Sequence, residues 1–363
     1  MTVRAAVPGV PHTAELLLPE LFWRQVALTP DAVAVSDGAE ALSYRETGER
    51  VRALAARLSE LGVGPEAMVG IQLPRSVRLV VAMLAVATAG GAFLLLDPEH
   101  PAERRAGMLG TARALALVCE EPVPGPWSRV RPDEGPVADG PVAAPAELYP
   151  DNAAYVAFTS GSTGAPKGVV NTQAGLANRL ADAVRRHGVG PGDRLLSATG
   201  LGFDPVVFQV FLPLVCGATL VLAPDGLERD PVALVELLRE ERITALELVP
   251  SVLQVLLEQP EAAGVGDLRW LTSAGEMLTG DLCARALSVL GVRVRNVYGR
   301  RSARSASPTT RTTRRRARAG CRWAGRSTTS GSSCSTRTAT ARRAARSTSA
   351  GCAWAAATSG RRA

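Results

Sequence analysis

Residues 159–164 read Thr-Ser-Gly-Ser-Thr-Gly, and Lys167 follows three positions later. Lys167 is the only lysine in 363 residues; every other strongly basic side chain is arginine. Glycines let neighbouring backbone N–H groups turn toward one point, hydroxyls donate hydrogen bonds, and a lysine adds a mobile cation: together these make a cradle for phosphate oxygens. The spacing is not that of the nucleotide-hydrolase loop, because Pro166 separates the last glycine from Lys167 and no Gly-x4-Gly-Lys-Ser/Thr run occurs. The competing reading is a flexible surface turn. It accounts for a glycine pair more readily than for the whole pattern placed directly after the apolar run Tyr155–Phe158, which reads as a strand.

Such a loop has to be carried by a framework, and the sequence alternates strand and helix signals. Leu18 opens an amphipathic helix and Ala32 a short strand. Ser43 with Glu46 forms a capping box for a helix whose apolar stripe runs Val51, Leu54, Leu58, Leu61 and ends at Gly62. Met68–Pro74 reads as a strand, Ser76–Gly91 as a mostly buried helix and Ala92–Pro98 as a strand. The alternation continues through the strand-like runs from Ala114, Arg194, Ala218 and Ile243. The expected fold is therefore α/β, layered parallel-type sheets with flanking helices. The Pro- and Gly-rich stretch from Glu120 to Pro150 is expected to be a surface connection.

Composition divides the chain at Arg300. Residues 300–363 hold 16 of the 41 Lys+Arg and none of the 34 Asp+Glu, leaving 25 basic against 34 acidic residues before that point, a balance of −9 behind the overall +7. This segment also has no Leu, Ile, Val, Met or Phe, and is expected to be disordered because it cannot bury enough surface to offset the entropy of ordering. The longest apolar runs lack the length and flanks of a membrane span, and no signal-peptide pattern opens the chain, so no membrane partner and a cytoplasmic location are expected. The six cysteines and three histidines suggest neither a disulfide framework nor a metal site.

The stretch Ala154–Val170 resembles the signature of the adenylate-forming enzymes, and specifically the adenylation domains of nonribosomal peptide synthetases. Leu42–Pro65, Ala89–Arg105, Gly202–Ala223, Leu271–Leu278 and Val294–Gly299 are similar to further motifs of that family, in its order. The resemblance implies an adenylation core over residues 18–299, preceded by an extension of residues 1–17. It implies ligation in two steps: a carboxylate attacks the α-phosphate of ATP to give an acyl-adenylate and pyrophosphate, and the acyl group then passes to the phosphopantetheine thiol of a peptidyl carrier protein. Carried over, Thr159, Ser160, Gly161, Ser162, Thr163, Gly164 and Lys167 would hold the β- and γ-phosphates, Thr163 and Lys167 serving the chemistry. Gly275, Glu276, Asn296, Tyr298 and Gly299 would flank the adenine and ribose. The amino-acid pocket would comprise Asp204, Pro205, Phe208, Glu247, Thr272, Ala274 and Val297.

Asp204 matches the family's partner for the substrate's α-ammonium, a charge-assisted contact that selects amino acids over plain acids. The alternative is a helix N-cap aspartate before Pro205. Glu247 in a pocket would call for a basic or hydrogen-bond-donating substrate side chain; the alternative is a solvated glutamate at the rim. Thr88, Gln173 and Gln209 depart from the lysine, histidine and glutamate usual at their positions. An acyl- or aryl-acid ligase of the same superfamily, or a non-catalytic remnant serving as a binding module, are the other readings.

After Asn296–Gly299 the family continues Pro-Thr-Glu, the glutamate helping to hold Mg²⁺, whereas this chain reads Arg300-Arg301-Ser302. Permitted codons for Arg300–Ser305, with one base restored in front, encode Pro-Thr-Glu-Cys-Thr-Val. Residues 300–363 are thus expected to be an out-of-frame translation, lacking the Mg²⁺ glutamate, the ribose-binding aspartate and the closing lid, with adenylation negligible as written. The rival reading is an arginine-rich arm for nucleic acid. It is disfavoured by the absence of lysine, by the scarcity of aromatics and by a motif broken midway.

Overall fold

The computed structural model describes residues 17–133, 147–159 and 167–297, together with the backbone of Arg322 and Trp323. Among them, two sheets carry the architecture. The first part of the chain runs α1 (Leu18–Leu28), β1 (Val33–Ser36), β2 (Ala41–Ser43), α2 (Tyr44–Glu60), β3 (Met68–Gln72), α3 (Val77–Thr88), β4 (Ala92–Leu95), α4 (Ala102–Ala112), β5 (Ala116–Cys119) and β6 (Ser128–Val130). There follow β7 (Ala153–Thr159), β8 (Lys167–Thr172), α5 (Gln173–His187), β9 (Arg194–Ser197), α6 (Pro205–Leu214), β10 (Thr219–Leu222), α7 (Pro231–Glu240), β11 (Ala245–Leu248), α8 (Pro250–Leu256), β12 (Trp270–Ser273), α9 (Gly280–Leu290), β13 (Val294–Asn296) and β14 (Arg322–Trp323).

The expected caps form. Ser43 Oγ accepts from Glu46 N at 3.2 Å, and Glu46 Oε2 accepts from Ser43 N at 2.8 Å, so α2 starts with two of its orphan donors satisfied. Val51, Leu54 and Leu58 are buried as the stripe requires. Leu61 is not: it lies beyond the last turn and is exposed, the chain reversing at Gly62 with φ +85°. Every residue of α3 except Arg78 is buried, which explains why that helix reads apolar all round.

One sheet has the order β6-β5-β3-β4-β7-β8 and the other β14-β13-β12-β11-β9-β10-β1-β2. All neighbours are parallel except the edge pairs β1–β2 and β7–β8, which are antiparallel and consecutive in the chain. The expectation of a plain surface connection after Glu120 is corrected by β6, a three-residue edge strand on β5. Prolines flank it, and an edge strand needs only one side of its backbone paired. Arg322–Trp323 of the arginine-rich segment pair through backbone alone with β13. Cys119 and Cys216 are buried thiols.

The two sheets share one large core in which α3 and α6 are central, with Phe22, Tyr44, Phe93 and Phe211 fully buried. Tyr44 inside it donates its hydroxyl to the carbonyls of Pro213 and Ala218, so the polar tip of a large apolar side chain is satisfied. Buried Arg75, just after β3, donates to the carbonyls of Thr199 at 2.9 Å and of Ser197 and Ala223 at 3.4 Å. It thereby ties one sheet to the carboxyl ends of β9 and β10 in the other.

Candidate functional site

Strands β9 to β13 run parallel, so the segments that follow them emerge at one edge. Open α/β sheets hold ligands at that carboxyl edge. Asp204 starts α6 after β9, Glu247 lies near the end of β11, Thr272 near the end of β12, Ala274 to Glu276 just beyond it, and Asn296 and Val297 at the end of β13. The loop leading to Asp204 is held by Gln209, whose Nε2 donates to Thr199 Oγ1 at 2.8 Å and whose Oε1 accepts from Thr199 N and Ser197 Oγ at 3.3 Å.

Asp204 stands at the N-cap position of α6, yet its side chain makes no capping bond. It accepts instead from the Tyr155 hydroxyl, Oη to Oδ1 2.8 Å. Tyr155 belongs to β7 in the other sheet, where its ring stacks on Phe93 with centroids 5.7 Å apart. Burial pushes the Tyr155 pKa up, and the neighbouring Asp204 charge and the hydrogen bond to it push in the same direction, so the phenol stays a donor. At the far end of β7, Thr159 pairs with Lys167 of β8 across the hairpin that encloses residues 160–166. Lys167 is exposed.

Glu247 and Thr272 are register partners on β11 and β12, so their side chains leave the sheet on the same face. Glu247 is 8% and Thr272 1% exposed, and Glu247 Oε2 and Thr272 Oγ1 lack hydrogen-bond partners. Burial pushes the Glu247 carboxyl above its ordinary range; the Arg179 charge opposes this and the Asp204 charge reinforces it. Phe208, one turn into α6, borders with Glu247 a void of about 10 Å³, room for a single water. The Arg179 guanidinium of α5 lies over the Phe208 ring, 4.2 Å from its centroid. Pro205, Ala274 and Val297 are half-buried around the same edge, and Val297 N is fixed to Ser273 O at 2.9 Å.

Gly275 adopts φ +88°, and a Cβ there would stand 3.4 Å from Val249. The turn thus needs the left-handed conformation that glycine adopts without strain. Both oxygens of Glu276 are engaged by Ser251, from N and Oγ at 2.9 Å, which anchors the turn on the first residues of α8.

The model of the AMP-binding enzyme family matches residues 22–325. The chain belongs to that family. It is 39% identical over 315 residues to "Probable non-canonical nonribosomal peptide synthetase (NRPS) CymA" of Salinispora arenicola, covering 82% of this chain and 4% of that protein. It is also 39% identical over 307 residues to the phosphinothricin tripeptide synthetase PhsB of Streptomyces viridochromogenes, covering 81% and 25%. Among solved structures, the AMPPNP-bound form of the nonribosomal peptide synthetase FmoA3 superposes with a TM-score of 0.74 at 33% identity, covering 81% of this chain and 32% of that one. The NpsA N-terminal subdomain of Klebsiella oxytoca, in complex with 3-hydroxybenzoyl-AMSN, gives 0.69 at 25% identity, covering 78% and 72%. The chain therefore spans only a small part of the curated synthetases it matches.

In this AMP-binding enzyme the fold gathers Asp204, Pro205, Phe208, Glu247, Thr272, Ala274, Gly275, Glu276, Asn296 and Val297 at one edge. Ser160, Gly161, Ser162, Thr163, Gly164, Tyr298 and Gly299 lie outside the described residues, as does the segment carrying the proposed frame change apart from Arg322 and Trp323. Among the described residues no group of three or more His, Cys, Asp or Glu could hold a metal ion. Sequence reasoning missed Tyr155 and Arg179. Tyr155 read as strand filler and Arg179 as one arginine among many; only the packing of β7 and α5 against α6 singles them out. No helix among the described residues is long and apolar enough to cross a membrane.

Proposed function

We propose that the carboxyl edge of β9 to β13 is a site for ATP and an α-amino acid and that the chemistry it serves is amino-acid adenylation, carried out once the reading frame after Gly299 is restored. An oxygen of the substrate carboxylate attacks the α-phosphorus of ATP, the bond to the bridging oxygen breaks, and pyrophosphate leaves with aminoacyl-adenylate formed. The acyl group then passes to a carrier-protein phosphopantetheine thiol and AMP is released, a partner proposed because the curated relatives are nonribosomal peptide synthetases. Thr159 to Gly164, Thr163 and Lys167 above all, would take the β- and γ-phosphates; Gly275, Glu276, Asn296, Tyr298 and Gly299 would hold the adenosine. Catalysis on this plan is positioning and charge stabilisation.

The observation that carries the reading is the Asp204 carboxylate, released from helix capping and held by Tyr155 of the strand that leads into the hydroxyl-rich turn. A carboxylate fixed by a neutral donor is placed to accept from an ammonium, and β7 carries both Tyr155 and Thr159, so amine and phosphate would be held in one frame. The NpsA complex gives the aryl-acid reading a precedent, but an aryl acid has no ammonium to answer Asp204. Binding of an aminoacyl-sulfamoyl adenosine against AMP alone is the test. Asp204→Asn should weaken the aminoacyl compound about tenfold or more and leave AMP unchanged. Equal loss for both ligands, or none, defeats the reading.

A further inference from the structure

Resting on the adenylation reading above, we propose that Ser251 is a positioning residue for the adenosine, and that Glu276 serves the nucleotide by fixing the turn beside it rather than by touching it. Each carboxylate oxygen of Glu276 already accepts a bond from Ser251, Oε2 from the backbone N and Oε1 from Oγ, both at 2.9 Å. Bonds to a charged acceptor are about twice as strong as neutral ones, and a pair of them fixes the direction of the carboxylate as well as its distance. Ser251 lies in the first turn of α8, which follows β11, and Glu276 follows β12. The contact therefore ties together the segments that leave two neighbouring parallel strands.

The turn has little else to hold it. Gly275, Glu276 and Met277 are all exposed, Met277 at 84%. Among the described residues none of the three makes a backbone–backbone hydrogen bond. Gly275 adds no side chain to pack, since a Cβ there would stand 3.4 Å from Val249 Cγ1, and glycine loses more conformational freedom on ordering than any other residue. A nucleotide that met this turn loose would have to order it, and the loss of freedom would come out of its affinity. Ser251 orders it beforehand through Glu276. The serine hydroxyl touches no reacting atom and acts only through that carboxylate.

The test is the AMP affinity of the full chain, read beside its thermal midpoint and the amide exchange of residues 274–278. Ser251→Ala removes the hydroxyl bond and keeps the backbone one. It should weaken AMP about fivefold and speed exchange at those amides, with the midpoint unchanged. Ser251→Thr keeps a hydroxyl and should restore wild-type affinity. Glu276→Ala removes both bonds and should weaken AMP about tenfold or more. Adding Ser251→Ala to it should bring no further loss, because the two residues act as one unit. Full AMP affinity in Ser251→Ala, or losses that add in the double variant, would mean that Glu276 meets the nucleotide itself; either overturns this proposal and leaves the adenylation reading standing. A lowered midpoint in Ser251→Ala with exchange at the turn unchanged reduces the contact to support of the fold and overturns it too. A wild-type chain that does not bind AMP overturns the adenylation reading and this proposal together.

Discussion

The Tyr155 hydroxyl donates to Asp204 at 2.8 Å, joining a strand of one sheet to the first turn of a helix that packs on the other. Each partner bears on its neighbour: the phenol replaces the backbone N–H groups that an N-cap aspartate would otherwise take, and the carboxylate reinforces the burial that raises the phenol's pKa. Tyr155→Phe keeps the stack on Phe93 and removes only the donor. Aminoacyl-adenylate mimics should bind more weakly by about 1.5–3 kcal/mol, the range for hydrogen bonds to charged groups, while AMP affinity stays put. Calorimetric titration of both ligands checks this; a parallel loss of AMP binding would show that the contact merely supports the fold.

Glu247 gives the free protein a pH dependence of definite sign. Its pKa lies above the ordinary 4.5 because burial, aided by Asp204 and opposed by Arg179, disfavours the charged form. The folded state therefore binds this proton more tightly than the unfolded chain. The stability it contributes is complete below pH 4.5 and is lost as pH rises through the elevated value. Glu247→Gln should erase that loss, so variant and wild type should differ more in urea midpoint at pH 8 than at pH 5, the variant being the more stable at the higher pH.

His187 runs the other way. Burial first, then the charges of Arg295, Arg179 and Arg186, depress its pKa to about 3, and its ring lies against Trp270 with centroids 4.3 Å apart. The unfolded chain takes up a proton near pH 6.5 that the folded chain refuses, so stability falls on acidification from there toward pH 3. At pH 5 the deficit should reach about 2 kcal/mol. His187→Gln should remove it. Denaturant unfolding at pH 7 and pH 5 decides, and a wild-type curve indifferent to that change would mean that the ring is reached by water.

Arg75 binds the two sheets through carbonyls of Ser197, Thr199 and Ala223. Arg75→Met removes the donor to the Thr199 and Ala223 carbonyls and the partner of Asp225, and should destabilise the fold by about 3 kcal/mol. Because those carbonyls lead to Asp204, binding of aminoacyl mimics should weaken at temperatures where the variant is still fully folded. Circular dichroism melts paired with titration separate the two effects.

The arginine-rich segment yields a prediction at the level of the gene. We propose that one base is missing ahead of the Arg300 codon, so the nucleotide sequence read one frame away should encode Pro-Thr-Glu directly after Gly299. Amino-acid-dependent pyrophosphate exchange should be negligible in the chain as written and should appear once that base is restored. Ordinary turnover by the unaltered chain, or a neighbouring frame without those codons, refutes the idea.

The elements were legible because their signals are local. Ser43 and Glu46 cap α2 by contacts three residues apart, the uninterrupted apolar run after Ser76 leaves α3 no exposed face but Arg78, and strands alternating with helices permit little besides parallel sheet. The exceptions have local causes too: β6 is too short and proline-flanked to register as a strand, and Leu61 continues a helical period one residue after the helix has ended.

The pocket was legible only as a set of positions. Sequence by itself determined which residue types are present: a solitary lysine beside a hydroxyl-rich turn, an aspartate before a proline, a glutamate in an apolar strand. It could not decide what each faces, because Asp204 has the same helix-start signature whether it caps α6 or meets Tyr155 from 49 residues away. Glu247 likewise reads the same at a solvated rim or in the interior. Only the packing of two sheets, with α5 and α6 between them, brought Arg179 onto Phe208 and left Glu247 and Thr272 buried and unsatisfied. Hydrogen bonding and desolvation depend on distances in space, and the chain order carries no record of those.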